Sequence, residues 1–241
     1  MSKNDFNVTT DPGDVWRVGY APNPWAWSDW AYADDDRRFN GRWDDEKGQF
    51  RTIYTAETLL GCFLEVLAQL RPDLEIDDEL DAIVDDDGTG ALFPTVGTGV
   101  VGFEWLEDRM WANGTQTGTY CYITHSESVA TLAKTGVFAR FGILGADIGT
   151  DVLKDPHTRP LTRTIARMVY DVLDDRTPAF EGLEFRSRHG DELRMWAIFE
   201  RGADGDAPAH VKPRSVGPVD PENEDLIAAF DRLGLRWPDD D

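Results

Sequence analysis

GRWDDEKGQFRTIYTAETLLGCFLEVLAQL, residues 41–70, is the stretch that decides the fold expected of this chain. Gly41-Arg42-Trp43 leads into a polar turn over residues 44–49 that contains Gly48. Residues 50–55, FRTIYT, are rich in β-branched and aromatic side chains and bounded by turn residues, which predicts a short strand. From Glu57 the period changes. Leu59, Phe63, Val66, Leu67 and Leu70 recur at helical spacing, so a helix with an apolar face is expected. Glu65 falls on the opposite side of that helix, with Gly61 four residues before it and Ala68 three after. A glycine inside a helix costs roughly 1 kcal/mol relative to alanine. What it offers is empty space beside the Glu65 carboxylate, where a ligand or another strand could approach. The plain alternative is that Glu65 is one more solvated helix carboxylate.

Outward from this stretch, residues 1–13 read as a flexible leader and residues 14–20, DVWRVGY, as a first strand carrying Arg17. The irregular segment 21–40 is dense in aromatics, and Trp16, Trp25, Trp27, Trp30 and Trp43 all precede residue 44. Such side chains either stack on a base or nicotinamide ring or cover the core beneath a long loop. Residues 71–90 form an acidic, helix-prone segment, the start of an acidic insertion expected to span about residues 71–118. Gly97, Gly99 and Gly102 spell G-x-G-x-x-G, but Pro94 interrupts the approach and no long helix or βαβ unit encloses them, which argues against a dinucleotide fingerprint. Residues 120–124 read as a strand, and His125 precedes a helix through Leu132 with an acidic first turn. His125 could serve acid–base chemistry, although a histidine beside a cap is ordinarily structural. Residues 159–173 have a second helical period. Residues 183–188 and 195–199 around Gly190 read as a hairpin bearing Ser187 between Arg186 and Arg188. Residues 202–218 look loop-like, and a last helix is expected with Asp220 as its N-cap and Pro221 at its first position.

The formal net charge of −22 over 241 residues excludes a direct nucleic-acid binder, because such binding relies on Lys and Arg displacing phosphate counterions. Lysine is confined to Lys3, Lys47, Lys134, Lys154 and Lys212, so most positive charge is arginine. This surface suits a high-salt cytoplasm, and a halophilic source is expected; an acidic face for a basic partner is the other explanation. An anionic substrate would need arginines to overcome the repulsive background locally. No window approaches the about 20 apolar residues of a membrane span, and the N-terminus lacks an apolar signal region. Cys62 and Cys121 are expected to be reduced core thiols, consistent with a cytoplasmic location. The four histidines lack metal-ligand spacing, so no metal is expected. There is no G-x-S-x-G elbow around Ser187 and no P-loop. Arg, Tyr, Glu and Ser on strand ends and a helix suit a nucleotide with a cationic leaving base. Arg neutralises phosphate, an aromatic holds the base, and a carboxylate stabilises charge developing on ribose.

Two blocks together resemble the RES domain. The first is Gly41-Arg42-Trp43, a strand ending in Tyr54, and Glu65 eleven residues on. The second is Gly182, Ser187-Arg188 and Trp196-Ala197, with Trp16-Arg17 upstream. The resemblance spans roughly residues 14–200 and includes the ESV and LTRTIAR segments seen in longer members. It implies a RES domain over 14–201, with residues 202–241 as a C-terminal loop and helix packed on it. It also implies an α+β fold with an ADP-ribosyltransferase-like mixed sheet core and flanking helices. The expected activity is cleavage of NAD+ as substrate, with no bound cofactor and with inorganic phosphate as co-substrate in an NAD+ phosphorylase. The expected setting is the toxin of a toxin–antitoxin pair, with a cognate antitoxin as partner. In this mapping Glu65 and Arg42 are catalytic; Arg17, Tyr54 and Ser187 bind substrate. Arg17 and Arg42 hold phosphates or the acceptor anion, Tyr54 packs on nicotinamide or its ribose, Glu65 stabilises ribosyl charge, and Ser187 bonds the nicotinamide side. A protein ADP-ribosyltransferase is the alternative within this chemistry. A non-catalytic module working through its acidic surface is the alternative outside it. Whether the chain is a homo-oligomer stays open.

Overall fold

The structure, a computed structural model, describes residues 1–72 and 99–238. Most of the acidic segment expected at 71–90, and Gly97, lie outside them. The strands are β1 (Val8–Thr10), β2 (Gly13–Tyr20), β3 (Thr52–Ala56), β4 (Arg109–Gln116), β5 (Thr119–Tyr122), β6 (Leu173–Asp174), β7 (Thr177–Pro178), β8 (Gly182–Ser187), β9 (Gly190–Phe199) and β10 (Val211–Pro218). The α-helices are α1 (Leu59–Leu67), α2 (Ser126–Lys134), α3 (Val137–Arg140), α4 (Thr150–Lys154), α5 (Arg159–Tyr170) and α6 (Glu224–Leu233). Eight strands form one mixed sheet in the order β1-β5-β8-β9-β3-β2-β4-β10, and β6 and β7 pair separately. Within that sheet β5 and β8 run parallel. A parallel pair needs a long crossover, and α2 through α5 supply it. The fold is α+β, a mixed sheet flanked by helices.

Strand alternation sorts side chains onto two cores. In β3, Ile53 joins Val15, Trp25, Trp27, Trp196 and Ile198 on one face, while Ala56 joins the larger, helix-covered core on the other. In β9 the same rule sends Met195, Ala197 and Phe199 to the helical side and Trp196 and Ile198 to the loop side. Trp25 and Trp27 of the aromatic loop are thus core covers, 3% and 5% exposed. Cys62 and Cys121 are buried free thiols.

Helix α1 starts at Leu59, the first residue of the apolar period and two residues past Glu57. Thr58 is its N-cap, its side chain accepting from the Gly61 amide at 3.1 Å. It is apolar nearly all round, with Leu59, Cys62, Phe63, Leu64 and Leu67 buried, because it lies between the sheet and α6. Gly61 is not open space for a ligand. A Cβ there would stand 3.2 Å from the capping Thr58 Oγ1, 3.4 Å from Ala56 Cβ and 3.8 Å from Leu193 Cδ2, so that side of the helix is already filled by its own cap, β3 and β9.

Four other expectations change. Residues 1–13 are tied down rather than loose: Val8, Thr9 and Thr10 pair with Cys121, Tyr120 and Thr119, and Phe6 is 6% exposed. Within the expected insertion, residues 109–116 form β4, an interior strand between β2 and β10. Its polar side chains hid it: Asn113 Nδ2 donates to the Val15 carbonyl at 3.0 Å, and Gln116 Oε1 accepts from Thr55 Oγ1 at 2.8 Å. Within the expected loop 202–218, residues 211–218 form the edge strand β10, whose Lys212, Pro213 and Arg214 show no apolar alternation and interrupt its register with a bulge. The last helix begins at Glu224, capped by Asn223 rather than Asp220, since the Asn223 side chain accepts from the Asp225 and Leu226 amides. Past the Gly99–Gly102 segment comes a four-residue 3-10 turn, Phe103–Leu106, rather than a dinucleotide-binding helix. Among the described residues no helix is long and apolar enough to cross a membrane.

Glu184 of β8 is 1% exposed and is satisfied by Arg194 of β9, whose Nε and Nη2 donate at 2.8 and 2.9 Å. Removing one partner of such a pair strands the other charge. Arg194→Met is expected to destabilise the fold by about 3 kcal/mol, the low end for a broken buried pair, because Arg194 is itself 26% exposed. The double variant with Glu184→Leu is expected to recover most of that loss in urea unfolding. Additive losses would show that the pair is not coupled.

Candidate functional site

The site is built on the Gly41-Arg42-Trp43 turn, and the turn is built on Tyr54. The Trp43 amide donates to Tyr54 Oη at 2.9 Å, and that hydroxyl donates to Asp44 Oδ1 at 3.1 Å. The other Asp44 oxygen accepts from the Gly41 amide. Trp43, fully buried, packs on Phe185 of β8 with ring centroids 5.7 Å apart. Burial pushes the Asp44 carboxyl up, against the Gly41 amide, the Tyr54 hydroxyl and the nearby Arg163 charge, which pull it down. Burial, and then the Asp44 charge, push the Tyr54 phenol well up, so it stays a neutral donor.

Helix α5 clamps the same turn. Arg159, Arg163 and Arg167, spaced four apart, share one helix face. Arg159 Nη1 donates to Asn40 Oδ1 at 2.8 Å and Arg163 Nε to the Gly41 carbonyl at 3.2 Å. Arg167 Nη1 donates to Gln49 Oε1 at 2.6 Å. The LTRTIAR segment therefore holds the turn from end to end.

Arg42 is oriented by backbone alone. Its Nη1 donates to the carbonyls of Leu153 and Asp155, at 2.7 and 3.1 Å, where α4 ends. These are acceptors at the negative pole of a short helix, and they leave the guanidinium charge uncancelled. Burial lowers its pKa first, the Arg188 charge lowers it further, and Glu65 and Tyr54 oppose that. Arg17 is committed elsewhere. Strands β2 and β3 pair only at Trp16–Ala56, and where they diverge Arg17 donates through Nη1 to the Tyr54 carbonyl at 3.0 Å and through Nε to the Pro24 carbonyl at 2.6 Å. Burial draws its pKa down to about 10.

Glu65 and Ser187 meet directly. Ser187 Oγ donates to Glu65 Oε1, and the His189 amide donates to Ser187 Oγ at 2.9 Å. The half-buried carboxylate thus faces Ser187 at the end of β8 and lies in the field of Arg42. Four of the expected residues, Arg42, Tyr54, Glu65 and Ser187, gather around one site. Arg17 touches it only through the Tyr54 backbone. One residue that had no role in the sequence reading, His189, also belongs here. His189 Nε2 accepts from Arg188 Nε at 3.1 Å, and the imidazole feels Glu65, Arg188, Arg71 and Arg42. The signal for His189 was its place two residues past Ser187, in the turn that brings β9 back. Arg186, the other neighbour of Ser187, turns away to donate to Tyr122 Oη at 3.0 Å.

A fixed carboxylate beside uncancelled guanidinium charge can stabilise a transient cation while holding an anion. A protein-family model matches residues 14–101. The model is that of the RES domain. The matched stretch contains Arg17, Arg42, Tyr54 and Glu65, the first block of the pattern among them; Ser187 lies beyond it. No curated protein matches the chain significantly. One solved structure, the M. tuberculosis MbcT-MbcA toxin-antitoxin complex, is similar at 14% identity with a TM-score of 0.45, covering 94% of this chain and 91% of the other.

Gly41 has no room for a side chain. A Cβ would stand 2.5 Å from both Tyr54 Oη and Asp44 Oδ2. Gly41→Ala is expected to lower stability by about 1–3 kcal/mol through overpacking, read as a lower thermal midpoint. An unchanged midpoint would mean that the turn is not held as tightly as these contacts require.

Proposed function

We propose that the chain is an NAD+-cleaving transferase of the RES type, with inorganic phosphate as acceptor, acting as the toxin of a toxin–antitoxin pair. The observation that carries this is the Glu65–Ser187 contact beside Arg42, formed by residues from both blocks of the RES pattern. The nicotinamide–ribose bond breaks with its electron pair leaving on neutral nicotinamide. Positive charge develops on the ribose ring, and the Glu65 carboxylate stabilises it. A phosphate oxygen then bonds to the ribose carbon, giving ADP-ribose 1-phosphate. Ser187 holds the carboxylate in one orientation, and Arg42 meets the diphosphate or the acceptor through donors that the α4 carbonyls leave free. With its hydroxyl committed to the turn, Tyr54 offers only its ring to the nicotinamide side. A cognate antitoxin would cover this cleft.

Purified protein given NAD+ and phosphate is expected to release nicotinamide and form ADP-ribose 1-phosphate. Glu65→Gln keeps an oxygen for Ser187 but removes the charge, and is expected to lower kcat by about 10²–10³-fold. Arg42→Ala is expected to act on KM for phosphate or NAD+ as well. Nicotinamide release that ignores phosphate would point to hydrolysis or to transfer onto protein, and full activity in Glu65→Gln would remove the carboxylate from the mechanism. Because an anionic substrate meets a field of −22, kcat/KM is expected to rise with added salt.

A further inference from the structure

His189 has a position that the cleavage chemistry does not use. Its amide fixes Ser187 Oγ, and its residue is half-buried beside the Glu65–Ser187 contact. Since Nε2 accepts from Arg188 Nε, that nitrogen carries no proton in this arrangement. Arg188, from its own turn, touches the imidazole directly, and Glu65 from α1, Arg71 just past it and Arg42 from the turn act on it through their charges. Beyond them lie Asp155, beside Arg42, and the Lys154–Asp191 pair. Three guanidinium groups against one carboxylate make this a positively biased spot on a strongly acidic chain. Arg188 is exposed, and its Nε is the group that must move if Nε2 is to accept a proton.

We propose that His189 is a further ligand-binding residue of this cleft, one that takes up a proton when an anion is seated among Arg42, Arg71 and Arg188. The ligand draws Arg188 Nε off the imidazole to donate to its own oxygens. A proton from solvent occupies the vacated Nε2 lone pair, and the imidazolium becomes another donor to the anion. Proton and anion enter together, with no bond broken in either. In the free protein, burial first and then the arginines hold the imidazole below its usual value, with Glu65 opposing. A bound dianion reverses that bias, so affinity rises as pH falls through the bound-state midpoint and levels off below the free-state one. The inference rests on the anionic-ligand reading of the cleft and is independent of whether NAD+ is cleaved.

Imidazole resonances of ¹⁵N-histidine-labelled protein are the direct readout, since only His125, His157, His189 and His210 contribute and His189→Gln identifies its own signal. Sulfate and ADP-ribose serve as probes, because neither changes its own charge near neutral pH. With either one saturating, the His189 midpoint is expected to rise by about one pH unit, while the other three histidines stay put. Dissociation constants for wild type should then tighten by up to about tenfold between the bound and free midpoints. Gln keeps an acceptor for Arg188 but cannot be protonated, so His189→Gln should bind with no such pH dependence. Binding without movement of the His189 midpoint, or no binding of either anion, overturns the proposal. A shift with sulfate in a protein that leaves NAD+ intact would uphold it and remove the proposed reaction instead.

Discussion

The hydroxyl of Tyr54 is the joint on which the candidate site depends. One phenol oxygen accepts from the Trp43 amide and donates to Asp44, so a strand in the middle of the sheet dictates the path of a turn that begins thirteen residues earlier. The turn could not hold that path alone. Its amides would be half-satisfied and its aspartate charged in an apolar setting, which is costly unless every polar atom finds a partner. With Tyr54 in place, Asp44 closes on the Gly41 amide, Trp43 drops into the core against Phe185, and Arg42 is left projecting toward α4. Helix α5 then sets three arginines along the outside of the same turn. The position of Arg42 follows from this scaffold.

Electrostatics explain what backbone carbonyls do for the Arg42 guanidinium. In a chain with 46 acidic and 24 basic residues carboxylates are plentiful, and Arg51, Arg167 and Arg194 each take one. An ion pair at Arg42 would cancel the charge that an anionic ligand needs. Neutral carbonyls orient the group and leave its charge available. The same logic separates Arg17 from Arg42. Both donate to carbonyls, but Arg17 fills the gap where β2 and β3 part, and so acts on the site by fixing the Tyr54 backbone.

Legibility followed the strength of local periodicity. The α1 and α5 helices and the β8–β9 hairpin announce themselves because their apolar residues recur at the spacing of the element. Strands β4 and β10 do not. Asn113 and Gln116 are buried through hydrogen bonds to distant partners, and Lys212, Pro213 and Arg214 lie along an exposed edge. Neither strand carries the alternation by which a half-buried strand is recognised. Phe6 is a single apolar residue before β1, too little to mark 1–13 as part of the core. The Gly61 case shows the limit of a helical wheel: it gives a direction around the axis but not what occupies that direction, and here the Thr58 cap, β3 and β9 do.

The amino-acid sequence by itself determined the α+β character, the RES pattern and the residue types of the cleft, because these reside in short-range order: a turn, a strand and a helix in fixed succession. Tertiary structure alone decided which of those residues meet. Ser187 reaches Glu65 across 122 positions of chain, and Arg42 reaches the α4 carbonyls across more than a hundred. Contacts over such separations depend on sheet order and helix placement, which no local pattern encodes. The same is true of His189, whose amide reaches Ser187 Oγ, the hydroxyl that meets the Glu65 carboxylate, only in the turn between β8 and β9.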